Sequence, residues 1–293
     1  MLRIFDQSPR RNHLHIAQKG GHVPTVDHGV NASRAAFSLG GAAVYAAYFE
    51  GGMGYRNDNT SGVATWVEEE TLYMVTSGQH FNAGCAACTT ESALCVLLSF
   101  APPDDALLRT GCFDYGNAET NNHDDGTGTM EAVYWGNNEI WGRGSGEGPW
   151  VMADLENGLW AGEQRVTPSN TALTYPFVTA MVKGGKNGFA LKAGDATQGH
   201  LQLMYDGPRP QVGKNGTGYQ PMQKQGAIIL GIGGDNSDSA IGTFFEGVIT
   251  RGYTTDAADD AVQANIVAAG YSEVGGGSSS RARAKAMVRS VAS

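Results

Sequence analysis

Long apolar runs, positive charge and widely spread cysteines are what this sequence lacks. No stretch approaches the roughly 18 consecutive apolar residues that a membrane-spanning helix needs. Met1 to Ile4 runs directly into Asp6 and a basic loop, which is not the layout of a signal peptide. Bases are outnumbered, 20 against 29 acids, for a formal charge of −9. A nucleic acid or an anionic membrane surface would be repelled, so neither is expected as a partner, and a neutral ligand is the natural fit. The 4 cysteines, Cys85, Cys88, Cys95 and Cys112, are too crowded to staple a whole domain. His13 and His15 share a side of an extended segment, but His22 and His28 have no zinc-type spacing, and Cys85-Ala86-Ala87-Cys88 has no second Cys/His pair. No metal is expected.

Glycine is abundant, 42 of 293 residues, with no collagen-like period and with Val, Ile, Tyr and Phe spread throughout. That composition suits short strands joined by tight turns. Segments with strand character recur at Ala43 to Tyr48, Thr71 to Thr76, Met130 to Tyr134, Trp150 to Leu155, Phe177 to Val182, Gly188 to Leu191, Ala227 to Ile232 and Thr243 to Ile249, each bounded by turn-forming residues. One helix is expected, Asp256 to Ala269, with acids at its start and Gly270 at its end. An all-β sandwich forming a single domain follows. After Tyr271 the Gly/Ser run Gly275 to Ser280 and the acid-free basic end, Arg281 to Arg289, read as a disordered tail over residues 272–293. The segment Ala86 to Gly111 interrupts the glycine- and asparagine-rich pattern and reads as an insertion. Sequons at Asn31, Asn59 and Asn215 would suit a secreted glycoprotein but arise readily by chance in such a composition.

Two places carry chemistry. In Trp150-Val151-Met152-Ala153-Asp154-Leu155-Glu156-Asn157-Gly158, strand alternation would set Asp154 and Glu156 on one face about 6 to 7 Å apart. Two parallel carboxylates there need polar neighbours, and sugar hydroxyls would serve; a solvent-facing strand end accounts for the spacing equally well. In Ala227 to Ser237 a buried strand runs into Gly233-Gly234, whose backbone can approach a ligand closely, and delivers Asp235 at the rim. An ordinary Gly-Asp turn is the plain alternative. Trp135, Trp141 and Trp150 flank the loop Gly142 to Gly148, so Trp141 could offer a sugar an aromatic face, although a core role is commoner for any one of them. That loop lacks the Gly-Lys-Ser/Thr ending of a phosphate-binding motif and precedes a strand, which excludes a nucleotide site.

These stretches together resemble glycoside hydrolase family 54, the fungal α-L-arabinofuranosidase B type. The resemblance is carried by Phe5-Asp6-Gln7-Ser8 with Asn12-His13-Leu14, Gly54-Tyr55-Arg56-Asn57, Cys112 to Thr120, Gly148 to Gly158, Arg209-Pro210-Gln211-Val212, Gly226 to Ser237, Phe245-Glu246-Gly247-Val248 and Val262 to Ile266. It spans nearly all of Leu2 to Tyr271. It implies a concanavalin-like β-sandwich (jelly roll) over residues 1–271 that removes terminal α-L-arabinofuranosyl groups from arabinan and arabinoxylan with retention of configuration. On this chain the implied nucleophile is Glu156 and the acid/base is Asp235. Asp154, Asn157, Gly158, Gly234 and Trp141 match sugar-binding positions. No cofactor is implied, and the expected partner is an arabinose-containing plant polysaccharide met outside the cell by a monomer.

Three departures from the family pattern stand out. The family places two consecutive cysteines, joined as a vicinal disulfide, against the sugar; here Cys85 supplies the first half and Cys112 the second, with Ala86 to Gly111 between them. The intervening segment is an unspliced intron or gene-model error, or a real loop with Cys85 and Cys112 still bridged at its base. The chain also begins within the family's domain, so exposed strand edges and reduced stability are expected. Finally, the family's arabinose-binding β-trefoil is replaced by the Gly/Ser and basic tail. A non-catalytic lectin-like sandwich and a glycosidase of shifted substrate are the competing readings.

Overall fold

Alternation along adjacent strands decides the architecture. Tyr115, Val133, Trp135, Val151, Ala153, Ile228 and Leu230 occupy alternate positions on four neighbouring strands and enter one core. The residues between them, among them Ala132, Tyr134, Met152 and Ile229, point to the other face. A sheet apolar on both faces must be covered on both, and this one is. The computed structural model describes residues 1–20, 25–82, 111–120, 128–138, 142–156, 158–213, 216–274 and 287–288.

The front sheet has eight strands in the order Arg3–Ile4, Leu14–Ile16, Tyr55–Asn57, Ala227–Leu230, Asp114–Ala118, Glu131–Gly136, Trp150–Asp154 and Leu159–Trp160, all antiparallel. The back sheet runs Gln202–Pro208, Gly188–Asp195, Val178–Gly184, Glu70–Thr76 and Gly242–Arg251; Ala47–Phe49 and the backbone of Met287–Val288 both pair with the last of these. Leu72, Met74, Val178, Ala180, Val182, Leu191 and Phe244 of the back sheet meet the front sheet in the shared core. Each fully buried Val, Leu, Met or Phe among them stabilises the fold by about 1.5–3 kcal/mol. This is the expected all-β sandwich with one helix near the C-terminus.

The helix, Asp256–Ala268, lies against the outer face of the back sheet. Thr255 caps it, its hydroxyl accepting from the Ala258 N–H at 3.2 Å, and Gly270 in the left-handed region (φ 71°) ends it. Its first turn is tied down electrostatically: buried Asp259 accepts from Lys183 and Lys192 of the back sheet, both at 2.7 Å. Phe37, Phe177, Phe245, Ile266 and Tyr271 form a second, aromatic core beneath it.

The expected strands are present within a few residues at their ends, with two differences. Ala43 to Tyr48 is not one strand but two, Ala42–Tyr45 and Ala47–Phe49, which serve different sheets: the first pairs with Ala36–Leu39, the second with Gly242–Arg251. The boundary expected after Tyr271 also falls inside a strand. Tyr271–Glu273 pairs with Ala36–Leu39, so the sandwich continues past it; the rest of the tail, apart from Val274 and Met287–Val288, lies outside the described residues, as do the sequon at Asn215 and most of the expected insertion, 86–110. At its end, Gly111 packs on Ser239 and Ala240, and its carbonyl accepts from the Asn82 side chain at 2.6 Å.

Candidate active site

The site lies on the face of the front sheet that does not enter the shared core. Its floor is low because the residues there are small: a methyl carbon added at Gly116 would sit 2.6 Å from the Ala132 Cβ. Around that floor the sheet raises Asp114 from one strand and Asp154 from the next strand but one, with Ala132 of the strand between directly opposite Asp154.

Glu156 reaches the site by a route that alternation did not anticipate. The strand ends at Asp154, and Glu156 stands in the left-handed region with φ 59°, so the expected parallel pair on one strand face is not what forms. A non-glycine residue in that region costs of order 1–3 kcal/mol and needs outside support. Three contacts supply it. The Glu156 N–H donates to Asp154 Oδ1 at 3.0 Å, the Leu155 N–H to the Gly158 carbonyl at 2.9 Å, and the Tyr219 hydroxyl lies 2.6 and 2.5 Å from the carbonyl oxygens of Leu155 and Glu156. Burial, then the charges of Asp154 and Glu156, push the Tyr219 phenol up, so it stays a donor. Gly158 is required because Trp160 Nε1 lies 2.2 Å from where a Cβ would stand.

Asp235 arrives from the end of the Ala227–Leu230 strand through a tight loop. Gly231 turns the chain at φ 77°, the Asn236 N–H closes on the Gly233 carbonyl at 3.0 Å, and Asp235 Oδ1 accepts from the Ser237 N–H at 2.9 Å. Arg56, buried in the sheet, clamps the loop: its guanidinium donates to the Gly234 carbonyl at 2.6 Å, to Asn236 Oδ1 at 3.3 Å and to the Glu119 carbonyl.

The two loops meet at Gly234. A methyl carbon added there would lie 2.8 Å from Glu156 Oε2 and 2.5 Å from both Glu119 Oε2 and Met130 Sδ. Only glycine lets the Asp235 loop come this close to the Glu156 carboxyl. Glu156, Asp235, Asp154, Asp114 and Glu119 are all buried, so three strands and the turns that follow them bring five carboxyl groups to one region. Carboxyl groups so crowded cannot all be charged unless something polar or a proton intervenes. For Asp114 the direction is clear: burial first, then Asp154 and Asp235, push its carboxyl well above the usual range.

Of the residues singled out in the sequence, Glu156, Asp235, Asp154, Gly158 and Gly234 come together here. Cys112 joins them, with its sulfur and carboxylate oxygens of Asp114 and Asp154 within 4.8 Å of one another. Cys112 is disulfide-bonded, so it has no thiolate to give a metal. Trp141, Asn157 and Cys85 lie outside the described residues. Trp135 and Trp150 are core residues, their indoles donating to the carbonyls of Ser77 and Ser145. Sequence reasoning gave no role to Arg56, Asp114, Glu119 or Tyr219. A charge inside a short strand segment, Tyr55–Asn57 for Arg56 and Asp114–Ala118 for Asp114, is the signal that marks the first two; Tyr219 had none.

The α-L-arabinofuranosidase B catalytic family model matches residues 1–90 and 105–272. The chain belongs to that family. An α-L-arabinofuranosidase of Hypocrea jecorina is 46% identical over 276 residues, covering 92% of this chain and 49% of that protein. An arabinofuranosidase/β-xylosidase of Trichoderma koningii gives the same identity and coverage. A crystal structure of an arabinofuranosidase complexed with arabinofuranosyl-α-1,2-xylobiose superposes with a TM-score of 0.79 at 42% identity, over 93% of this chain and 51% of the other. The chain thus spans about half the length of the relatives it matches.

Proposed function

We propose that this chain is the catalytic unit of a retaining α-L-arabinofuranosidase acting on terminal α-L-arabinofuranosyl groups of arabinan and arabinoxylan, secreted and monomeric. The observation that carries the reading is the close approach of the Gly234-Asp235 loop to the Glu156 carboxyl. Family membership and the arabinofuranosyl-xylobiose bound by the related structure support the sugar class.

The chemistry is a double displacement. The Glu156 carboxylate forms a bond to the anomeric carbon as the bond to the leaving oxygen breaks, and Asp235 gives that oxygen its proton. Asp235, now a carboxylate, takes a proton from water. The water oxygen bonds to the anomeric carbon and Glu156 departs, so two inversions leave the configuration unchanged. Asp154, with one oxygen already holding the Glu156 N–H, accepts from a sugar hydroxyl, and the disulfide of Cys112, with Cys85 as its partner, forms a wall against the ring. A double displacement of this kind needs no metal or redox group.

The test is turnover of an aryl α-L-arabinofuranoside by the purified chain beside Glu156→Gln and Asp235→Asn. The expected result is turnover by the wild type and a loss of about 10³- to 10⁴-fold in each variant. A well-folded wild type that binds arabinosides without cleaving them would establish the lectin-like reading instead. The Trichoderma koningii relative also bears the name β-xylosidase, so an aryl β-xyloside belongs in the same assay. Faster turnover of the xyloside would move the substrate class.

A further inference from the structure

The buried carboxyl groups of Asp114 and Asp154 face each other, an oxygen of one lying within 4.8 Å of an oxygen of the other. Neither carboxylate can donate to the other, so a contact of this kind contains one proton. Two observations say which partner keeps it. Asp114 is fully enclosed at 0% exposure, whereas Asp154 is 7% exposed and already accepts the Glu156 N–H at 3.0 Å. An N–H donated to a carboxylate stabilises its charge, and complete burial opposes charge, so Asp154 is the anion and Asp114 the acid.

We infer that Asp114 is a positioning residue: a neutral carboxylic acid whose O–H holds the Asp154 carboxylate in the orientation that fixes the left-handed turn at Glu156 and so aims the nucleophile. This rests on the arabinofuranosidase reading and deepens it. The path is short and continuous. Asp114 donates to Asp154, Asp154 accepts the Glu156 N–H, and the turn so formed presents the Glu156 carboxyl at Gly234. The Gly231 N–H donates to the Asp114 carbonyl at 2.8 Å, tying the strand of Asp114 to the loop of Asp235 as well.

The arrangement tolerates the charge changes of the reaction. In the resting state burial and the charge of Asp154 favour the proton on Asp114. When Asp235 gives up its own proton in the first displacement, its new charge tightens that hold. The other groups facing Asp114 do not compete: the Tyr134 phenol is pushed up, chiefly by burial, and Cys112 is in a disulfide.

The test compares Asp114→Asn, which keeps a neutral group of the same shape with a donor, with Asp114→Ala, which has none. On an aryl α-L-arabinofuranoside the Asn variant is expected within about fivefold of wild type. The Ala variant is expected to lose about 10- to 100-fold, mainly in kcat, as removal of one hydrogen bond to a charged group predicts. An independent readout is the infrared difference spectrum between wild type and Asp114→Asn at neutral pH, which is expected to contain the carbonyl band of one neutral carboxylic acid. Folded Asn and Ala variants equally impaired, a loss confined to KM, or a difference spectrum without that band would each overturn the inference. If Asp114→Ala does not fold, Asp114→Leu, close in size and also without a donor, takes its place, and the infrared result decides independently of either. A wild type with no turnover but with the acid band would sink the arabinofuranosidase reading and the aiming role with it, leaving only the protonated pair; activity without the band would sink the positioning role alone.

Discussion

The front sheet buries acids on both faces and treats them in opposite ways. On the core side, Glu131 and Glu70 lie fully enclosed beside Lys224, whose ammonium reaches Glu131 at 2.8 Å, and the Asn117 side chain donates to Glu70 at 3.1 Å. Burial first and the Glu131 charge second push the Glu70 carboxyl up, with Lys224 pulling the other way. That cluster brings its own cations: Lys224, and more weakly Arg209, pull the Glu131 carboxyl down against its burial. On the other face, Asp114, Asp154, Glu156 and Asp235 gather in one place, and the charges acting on Asp114 are those of other acids. The difference teaches where chemistry is possible. A buried cluster that brings its own cation is structural, and one that relies on protons and an incoming polar ligand is reactive.

Removing the cation breaks the comparison most sharply. Lys224→Met leaves Glu131 buried without its partner and is expected to cost about 3–5 kcal/mol in urea unfolding, while activity per folded molecule stays at wild-type level. A cost under about 1 kcal/mol would mean that the inner cluster, like the outer, can be managed with protons alone.

A third pair tests the same idea at intermediate size. Asp27, behind the Asp235 loop, is pushed up to about 8 by burial first, then by the charge of Asp238 and a hydrogen bond to it. The folded chain therefore holds a proton that the unfolded chain releases above 3.8. Its contribution is complete below that pH and is lost as pH rises through about 8. Melting temperature should fall by about 2–4 °C from this source over the neutral range, and Asp27→Asn should flatten the decline. An unchanged slope in the variant would show that the pair shares no proton.

The smallest effect is expected at Glu70→Gln. If Glu70 is the neutral member of the inner cluster, an uncharged residue of the same shape changes unfolding free energy by no more than about 1 kcal/mol at neutral pH. A loss as large as that of Lys224→Met would make Glu70 a charged partner and redraw the cluster.

Much of this was legible in the sequence, because strand periodicity and turn residues are local. The strands from Thr71, Gly188 and Ala227, the helix from Asp256 and the Gly233-Gly234-Asp235 loop were read within a few residues of their positions. Glu156 was found as a residue but misplaced as geometry: alternation holds only while the strand lasts, and this one stops at Asp154. Ala43 to Tyr48 was read as one strand because nothing local shows that its halves join different sheets.

What the sequence determined by itself is a sandwich of short strands, its one helix, and the carboxylates and glycines that chemistry would need, since each depends on neighbours a few positions away. What only the tertiary structure decided is which acid meets which. Arg56 holds a loop 178 residues distant, and Asp114 finds Asp154 across an intervening strand. Proton sharing depends on burial and on contacts between such remote groups, and neither exists until the sheets close.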